Sequence, residues 1–242
     1  MKTRTAIVTG GGSGVGAAIA LALAREGYGL RLIGRRLAAL QAVAQQAIAK
    51  GARAVCHTAD LADDAALHRL CAELAGQPVD VLVHSAGCIV RAPIESGSLA
   101  DFDAQQRLNL RAPYALTQAL LPSLKAGQGE VVFINSSSGV TAKAGGGGYD
   151  TSKHGLRALA DSLRQEVNAD GVRVLSLYLG QTATAMQKKL AANLDSDYQP
   201  EQLIQPADVA ALVLAVIRLP RTAEVTDLHV RPLKPGNRDS RF

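Results

Sequence analysis

Tyr149 and Lys153, in the run Tyr149-Asp150-Thr151-Ser152-Lys153, are the residues best placed by type and spacing to do chemistry. Four positions apart, they fall on one face of a helix, one turn from each other. A free tyrosine has a pKa of roughly 10, which makes it a poor base and a weak acid at neutral pH. An ammonium held close to a phenol favours the phenolate. Such a pair turns an inert tyrosine into a general acid/base. The same spacing also occurs where a surface tyrosine stands beside a solvated lysine, so the weight of the pair depends on the elements that carry it.

Those elements alternate between strand and helix over the whole length. Strands are expected over Thr5 to Thr9, Leu30 to Ile33, Ala52 to His57, Val79 to His84, Glu130 to Asn135, Val172 to Leu179 and Val225 to Val230. Helices are expected over Ala17 to Glu26, from beyond the second strand to Lys50, over Ala65 to Leu74, Asp101 to Lys125 and Tyr149 to Asn168, and from near Pro206. This alternation predicts parallel pairing with right-handed crossovers. The strands are continuous apolar runs, as expected when helices cover both faces. The expected fold is α/β: a doubly wound (Rossmann), mostly parallel sheet of about seven strands with helices on both faces. No linker or repeat divides residues 1–242, so a single domain is expected.

The first strand runs into Thr9-Gly10-Gly11-Gly12-Ser13-Gly14-Val15-Gly16 and then a helix. Glycines let a backbone turn sharply and approach a pyrophosphate. The helix N-terminus adds free N–H groups and a favourable dipole. Without a Gly-Lys-Ser/Thr ending, the loop is not that of an NTPase. The second strand ends in Ile33-Gly34-Arg35-Arg36. A carboxylate at that point holds the ribose 2′-hydroxyl of NAD, whereas arginine accommodates the 2′-phosphate of NADP. Gly34 supplies no carboxylate and Arg35 and Arg36 follow, which favours NADP(H).

Composition narrows the class further. The chain has 242 residues, a net charge of +5 and no tryptophan. Few aromatics argue against stacking on nucleic acid. The basic residues are scattered apart from Arg35-Arg36, Lys188-Lys189 and a loosely basic tail from Arg231 to Arg241. Cys56, Cys71 and Cys88 show no metal-like or redox-like spacing, so no metal site is expected. An odd cysteine count with no secretory leader points to reduced thiols and a cytoplasmic location. No apolar run reaches the roughly 18 to 20 residues of a membrane span.

Taken together, these motifs resemble the short-chain dehydrogenase/reductase family over nearly the whole chain. The family's Thr-Gly-x-x-x-Gly-x-Gly loop is met by Thr9, Gly10, Gly14 and Gly16, with Gly12, Ser13 and Val15 between them. Its Asp-Leu after the third strand is similar to Asp60-Leu61. Its Asn-Asn-Ala-Gly is met in part by His84-Ser85-Ala86-Gly87. Its helix asparagine is similar to Asn109. Its catalytic serine, thirteen residues before the tyrosine, falls on Ser136. The resemblance implies that NADPH gives a hydride to a carbonyl carbon while Tyr149 protonates the developing alkoxide, with oxidation running in reverse. Ser136 would bond the substrate oxygen. Lys153 would lower the tyrosine pKa and hold the nicotinamide ribose. Asn109 would anchor a proton-relaying water. Asp60 would contact the adenine. Subunits would pair through the helices from Asp101 and Tyr149, as a homodimer or homotetramer.

The chain departs from that pattern in three places. His84-Ser85 replaces two asparagines, and a structural substitution is expected there. Leu179-Gly180 replaces Pro-Gly, followed by Thr182 and Thr184, either of which would bond the nicotinamide carboxamide; Thr184 fits the family spacing better. Gly145 to Gly148 precede the tyrosine and suggest a mobile, open segment. Specificity is expected from residues 89–98, 141–148 and 181–199, which follow strand C-terminal ends. These segments hold Arg91, Glu95, Lys143, Met186, Lys188, Lys189 and Tyr198. The substrate is expected to be a small carbonyl or alcohol. The alternative is a non-catalytic, redox-sensing NADP-binding protein on the same fold; a methyltransferase is opposed by Arg35-Arg36 and the Ser-Tyr-Lys set.

Overall fold

Seven parallel strands form one sheet in the computed structural model, which describes residues 4–234. They are β1 (Thr5–Thr9), β2 (Gly29–Gly34), β3 (Ala54–Thr58), β4 (Val81–His84), β5 (Glu130–Ser136), β6 (Arg173–Leu179) and β7 (Asp227–Val230). The order across the sheet is β3-β2-β1-β4-β5-β6-β7. Sequence order therefore reverses between β1 and β4, and a crevice opens there at the strand C-termini.

Side chains alternate faces along each strand, which splits the core in two. Ala6, Val8, Leu30, Leu32, Leu175 and Leu177 pack beneath α1 (Gly14–Arg25), α2 (Leu37–Ile48) and α8 (Pro206–Ile217). Ile7, Ile33, Leu82, Val131, Phe133 and Val174 face α3 (Asp64–Leu74), α5 (Ala112–Gly127) and α6 (Gly147–Val167). Both faces of the central strands are covered, which is why β1 and β4 are mostly apolar, whereas the edge strands β3 and β7 carry polar, partly exposed residues.

The helix expected over Asp101 to Lys125 is instead three pieces. α4 (Leu99–Gln106) starts earlier, capped by the Ser98 hydroxyl on the Ala100 and Asp101 amides. A π turn (Arg107–Arg111) separates it from α5, and Asn109 sits in that turn. Segment 181–199 contains a helix that was not expected, α7 (Ala185–Asn193), capped by Thr184. The four glycines before Tyr149 are not an open stretch of loop. Gly147 and Gly148 begin α6. A Cβ on Gly148 would lie 2.7 Å from the Gln105 side chain, and one on Gly146 would collide with the Asp150 carboxylate. Close packing excludes a side chain at Gly146 and Gly148, while Gly145, at φ 72°, adopts the left-handed backbone that favours glycine. Among the described residues no helix is long and apolar enough to cross a membrane. The basic tail lies mostly outside the described residues.

Candidate active site

One cavity of about 1180 Å³ runs along the strand C-termini from the glycine loop to Tyr149. Single small-molecule sites occupy about 300–1,000 Å³, so this one has room for a dinucleotide with a substrate beside it. Gly10, Gly12, Ser13, Gly14 and Val15 wall one end with Arg35, Arg36, Asp60 and Leu61; Ser85, Ala86 and Gly87 line the middle. Ser136, Tyr149 and Lys153 meet at the other end, with Gly180, Thr182 and Thr184 along the wall.

The loop geometry explains its glycines. Gly10 and Gly14 have φ of 67° and 54°, in the left-handed region that favours glycine. A Cβ on Gly10 would stand 3.0 Å from the Ala86 backbone, and one on Gly16 would stand 2.5 Å from the Gly10 carbonyl oxygen. The loop is thus folded tightly onto the end of β4, with the N-terminus of α1 facing the cavity. The exposed side chains of Arg35 and Arg36 flank this end. These residues fit a dinucleotide carrying an extra phosphate.

Two expected cofactor residues stand behind the wall rather than on it. The Thr9 hydroxyl accepts from the Ser85 and Ala86 amides at 3.0 and 3.1 Å and donates to the Val83 carbonyl at 3.3 Å. It ties β1 to β4 across the crevice floor. Gly16 serves close packing in the loop. Asn109 is also off the wall: buried, it accepts from the Cys88 amide and donates to the Cys88 carbonyl and the Ser152 hydroxyl, each within 3.0 Å. It fixes the chain beyond Gly87 to α6.

At the catalytic end, burial holds the Tyr149 phenol above its usual pKa. The neighbouring Ser136 hydroxyl and then the Arg91 charge oppose that rise. Lys153 is pushed down to about 8 by burial. Its ammonium donates to the Ile134 carbonyl at 3.0 Å and lies 5.9 Å from the Tyr149 ring centroid. The expected lowering of Tyr149 by Lys153 is therefore absent from this arrangement. Burial disfavours both ionic forms more than the pair offsets at that separation.

Ser136 lines the cavity together with Ser137, Ser138 and Tyr149, and its hydroxyl accepts from the Ser138 amide at 3.1 Å. Thr182 donates to the Gly180 carbonyl at 3.0 Å, whereas Thr184 caps α7 through the Gln187 amide at 3.2 Å. His84 is buried and neutral. Its Nε2 lies 2.9 Å from the Thr117 hydroxyl, its ring stacks on Phe133, and burial lowers its pKa to about 3. It braces the sheet and does not reach the cavity. Sequence reasoning did not single out Asp150, which is buried beside Tyr149, or connect it with Arg91 on a distant loop. No local spacing signals a contact between such separate segments.

A family model described as short chain dehydrogenase matches residues 4–195. Glycine betaine reductase ATRR of Emericella nidulans is 30% identical over 242 residues, covering 96% of this chain; the chain spans only 19% of that relative's length. An alcohol dehydrogenase from the archaeon Thermococcus sibiricus, solved with 5-hydroxy-NADP, superposes with a TM-score of 0.87 at 28% identity, covering 97% of this chain and 99% of that one. A metagenomic short-chain oxidoreductase solved with NADP gives a TM-score of 0.80 at 30% identity, covering 96% and 98%. The parallel sheet, the glycine loop and the family match agree: the chain is an oxidoreductase that belongs to the short-chain dehydrogenase/reductase family.

Proposed function

We propose that the chain is an NADP(H)-dependent oxidoreductase that interconverts a carbonyl and an alcohol, with Tyr149 as general acid/base. The carrying observation is the single cavity that joins the glycine loop and Arg35-Arg36 at one end to Ser136, Tyr149 and Lys153 at the other. Relatives of known structure solved with NADP and 5-hydroxy-NADP support that choice of cofactor.

Gly10 to Val15 and the α1 N-terminus would hold the pyrophosphate, and Arg35 and Arg36 the 2′-phosphate. Asp60 would reach the adenine, and Gly180 with Thr182 or Thr184 the carboxamide. When bound, the cofactor supplies the hydride that reduces the carbonyl carbon. Tyr149 donates its phenolic proton to the carbonyl oxygen as charge develops there. Ser136 donates a hydrogen bond to the same oxygen and stabilises that charge. A buried phenol stays protonated at neutral pH, which suits an acid in the reductive direction. Lys153 would hold the ribose hydroxyls and return a proton to Tyr149, with Asn109 holding the chain around the relay.

The three cysteines are free, which supports a reducing, cytoplasmic setting. Exposed Leu99, Phe102 and Tyr114 on α4 and α5 support pairing of copies through those helices. The test is a screen of ketones, aldehydes and quinones with NADPH, followed by its absorbance. Steady turnover with at least one carbonyl is expected; NADPH binding with no turnover of any would favour the redox-sensing alternative.

A further inference from the structure

Arg91 belongs to the segment beyond β4, and the backbone there is tied down on every side. The Cys88 amide donates to Asn109 Oδ1, the Val90 amide to Gln105 Oε1 and the Ala92 amide to the Gly145 carbonyl, each at 2.9 Å. The guanidinium is thus carried on a fixed base. Its side chain is only 18% exposed and lines the cavity beside Ser136, Ser138 and Tyr149.

Its protein partners leave it unsatisfied. One nitrogen, Nη2, donates to the Ser138 hydroxyl at 3.3 Å. The same nitrogen stands 3.8 Å from Asp150 Oδ1, beyond hydrogen-bonding distance. Among the described residues Arg91 makes no other hydrogen bond, although a guanidinium carries five N–H donors. Asp150 Oδ1 is itself buried without a hydrogen-bond partner, while Oδ2 accepts from the Lys143 amide at 2.7 Å.

A purely structural ion pair would close to about 2.7–2.9 Å, because desolvating two charges is offset only by good geometry. This pair does not close. It balances the guanidinium's charge at arm's length and leaves its fork directed at the reacting end of the cavity. Of the other cations of the specificity segments, Lys188 and Lys189 are exposed and off the cavity wall, and Lys143 lines the cavity only as an exposed side chain. Asp195 and Asp197 line the cavity only as exposed side chains on the stretch after α7.

We infer that Arg91 is a specificity-determining anchor for a carboxylate on the substrate, so that this site takes small oxo acids and the corresponding hydroxy acids. The inference rests on the carbonyl–alcohol reading and narrows it to a charge class. The planar guanidinium meets a carboxylate through two parallel hydrogen bonds, which would set the substrate carbonyl against Ser136 and Tyr149. Ser138, donated to by Arg91 and donating its own amide to Ser136, links the anchor to the catalytic hydroxyl.

The test compares pyruvate, acetoacetate and levulinate, each against its uncharged primary amide, as substrates with NADPH. Wild-type protein is expected to prefer at least one acid over its amide in kcat/KM by about 10- to 100-fold, the scale of a charge-assisted bidentate contact. Arg91→Gln keeps a donor for Ser138 but loses the charge. It should erase that preference through the acid's KM, lowering kcat/KM for the acid about 10- to 100-fold more than for the amide. Arg91→Lys should restore the preference in part, since it returns the charge without the fork.

A wild-type protein with no preference for any acid overturns the inference whether or not the variants fold. So does an Arg91→Gln variant that slows acid and amide equally, which would make Arg91 only a support for Tyr149 or Asp150. Turnover of amides and neutral ketones without gain for acids sinks the anchor alone; turnover of no carbonyl sinks the reading beneath it. In that last case calorimetry of acetoacetate with the NADP⁺-loaded protein still decides: binding abolished in Arg91→Gln supports the anchor, and absence of binding overturns it.

Discussion

Lys153 stands 5.9 Å from the Tyr149 ring centroid with its ammonium donating to the Ile134 carbonyl. Neither residue is therefore in its reactive ionic form by mutual attraction alone. Burial keeps Tyr149 protonated and lowers Lys153 to about 8. Carbonyl reduction should be level in kcat/KM up to about pH 8 and decline above it, as Lys153 loses its charge. A profile measured from about pH 6 to pH 10 checks this; kcat/KM level through pH 10 would assign no role to the Lys153 charge. Between about 8 and 10.5 the unfolded chain holds the lysine proton and the folded chain does not, so Lys153 makes stability rise with pH across that window. Below it, Lys153→Met should raise the unfolding temperature by about 2–4 °C per kcal/mol relieved, while abolishing turnover.

His84 gives an acid limb of the opposite origin. Its folded pKa is about 3, against 6.5 for an exposed imidazole. Above 6.5 both states are neutral and nothing is lost. As pH falls from 6.5 towards 3 the unfolded state takes up a proton that the folded state refuses, so stability drops by about 1.4 kcal/mol per pH unit. His84→Asn should flatten this slope in urea midpoints measured across that range. An unchanged slope would place the acid sensitivity elsewhere.

Thr9→Val keeps the side-chain shape but leaves the Ser85 and Ala86 amides without their acceptor. A loss of about 1–3 kcal/mol per orphaned buried group is expected, with weaker NADPH binding because β4 is no longer tied to the loop. Gly16→Ala should act alike through the Gly10 carbonyl, 2.5 Å from the added carbon. Unfolding in urea and a binding titration check both; weakened binding at undiminished stability would make Thr9 a direct contact instead.

Arg35 and Arg36 flank the cavity with no acidic residue at the end of β2. A fluorescence titration should show NADPH bound much more tightly than NADH, with replacement of both arginines by alanine removing most of the difference. Equal binding of the two cofactors would reduce the pair to surface charge.

Much of this was legible in the chain because it rests on local rules. Apolar runs alternating with helical spacing mark β1 to β7, and Gly10 and Gly14 mark a backbone that must turn left-handed. What was hidden depends on tertiary contact. Nothing in Arg107 to Arg111 signals a π turn, in which Asn109 reaches Cys88 and Ser152 together. Gly145 to Gly148 looked open because a sequence shows missing side chains but not the Asp150 and Gln105 that fill the places beside Gly146 and Gly148. α7 escaped notice as a short, weakly patterned helix whose clearest signal, the Thr184 cap, was also a candidate ligand. The Arg91–Ser138–Asp150 cluster joins three separate segments, so no spacing along the chain could announce it.

The most direct measurement is Tyr149→Phe, assayed for carbonyl reduction and for NADPH binding in parallel. The change removes only the phenolic oxygen at a position on the cavity wall. Turnover should fall by at least the roughly 10²- to 10⁴-fold that general acid catalysis contributes, with NADPH affinity nearly unchanged. Turnover within a few-fold of wild type would contradict the assignment of Tyr149 as the acid/base.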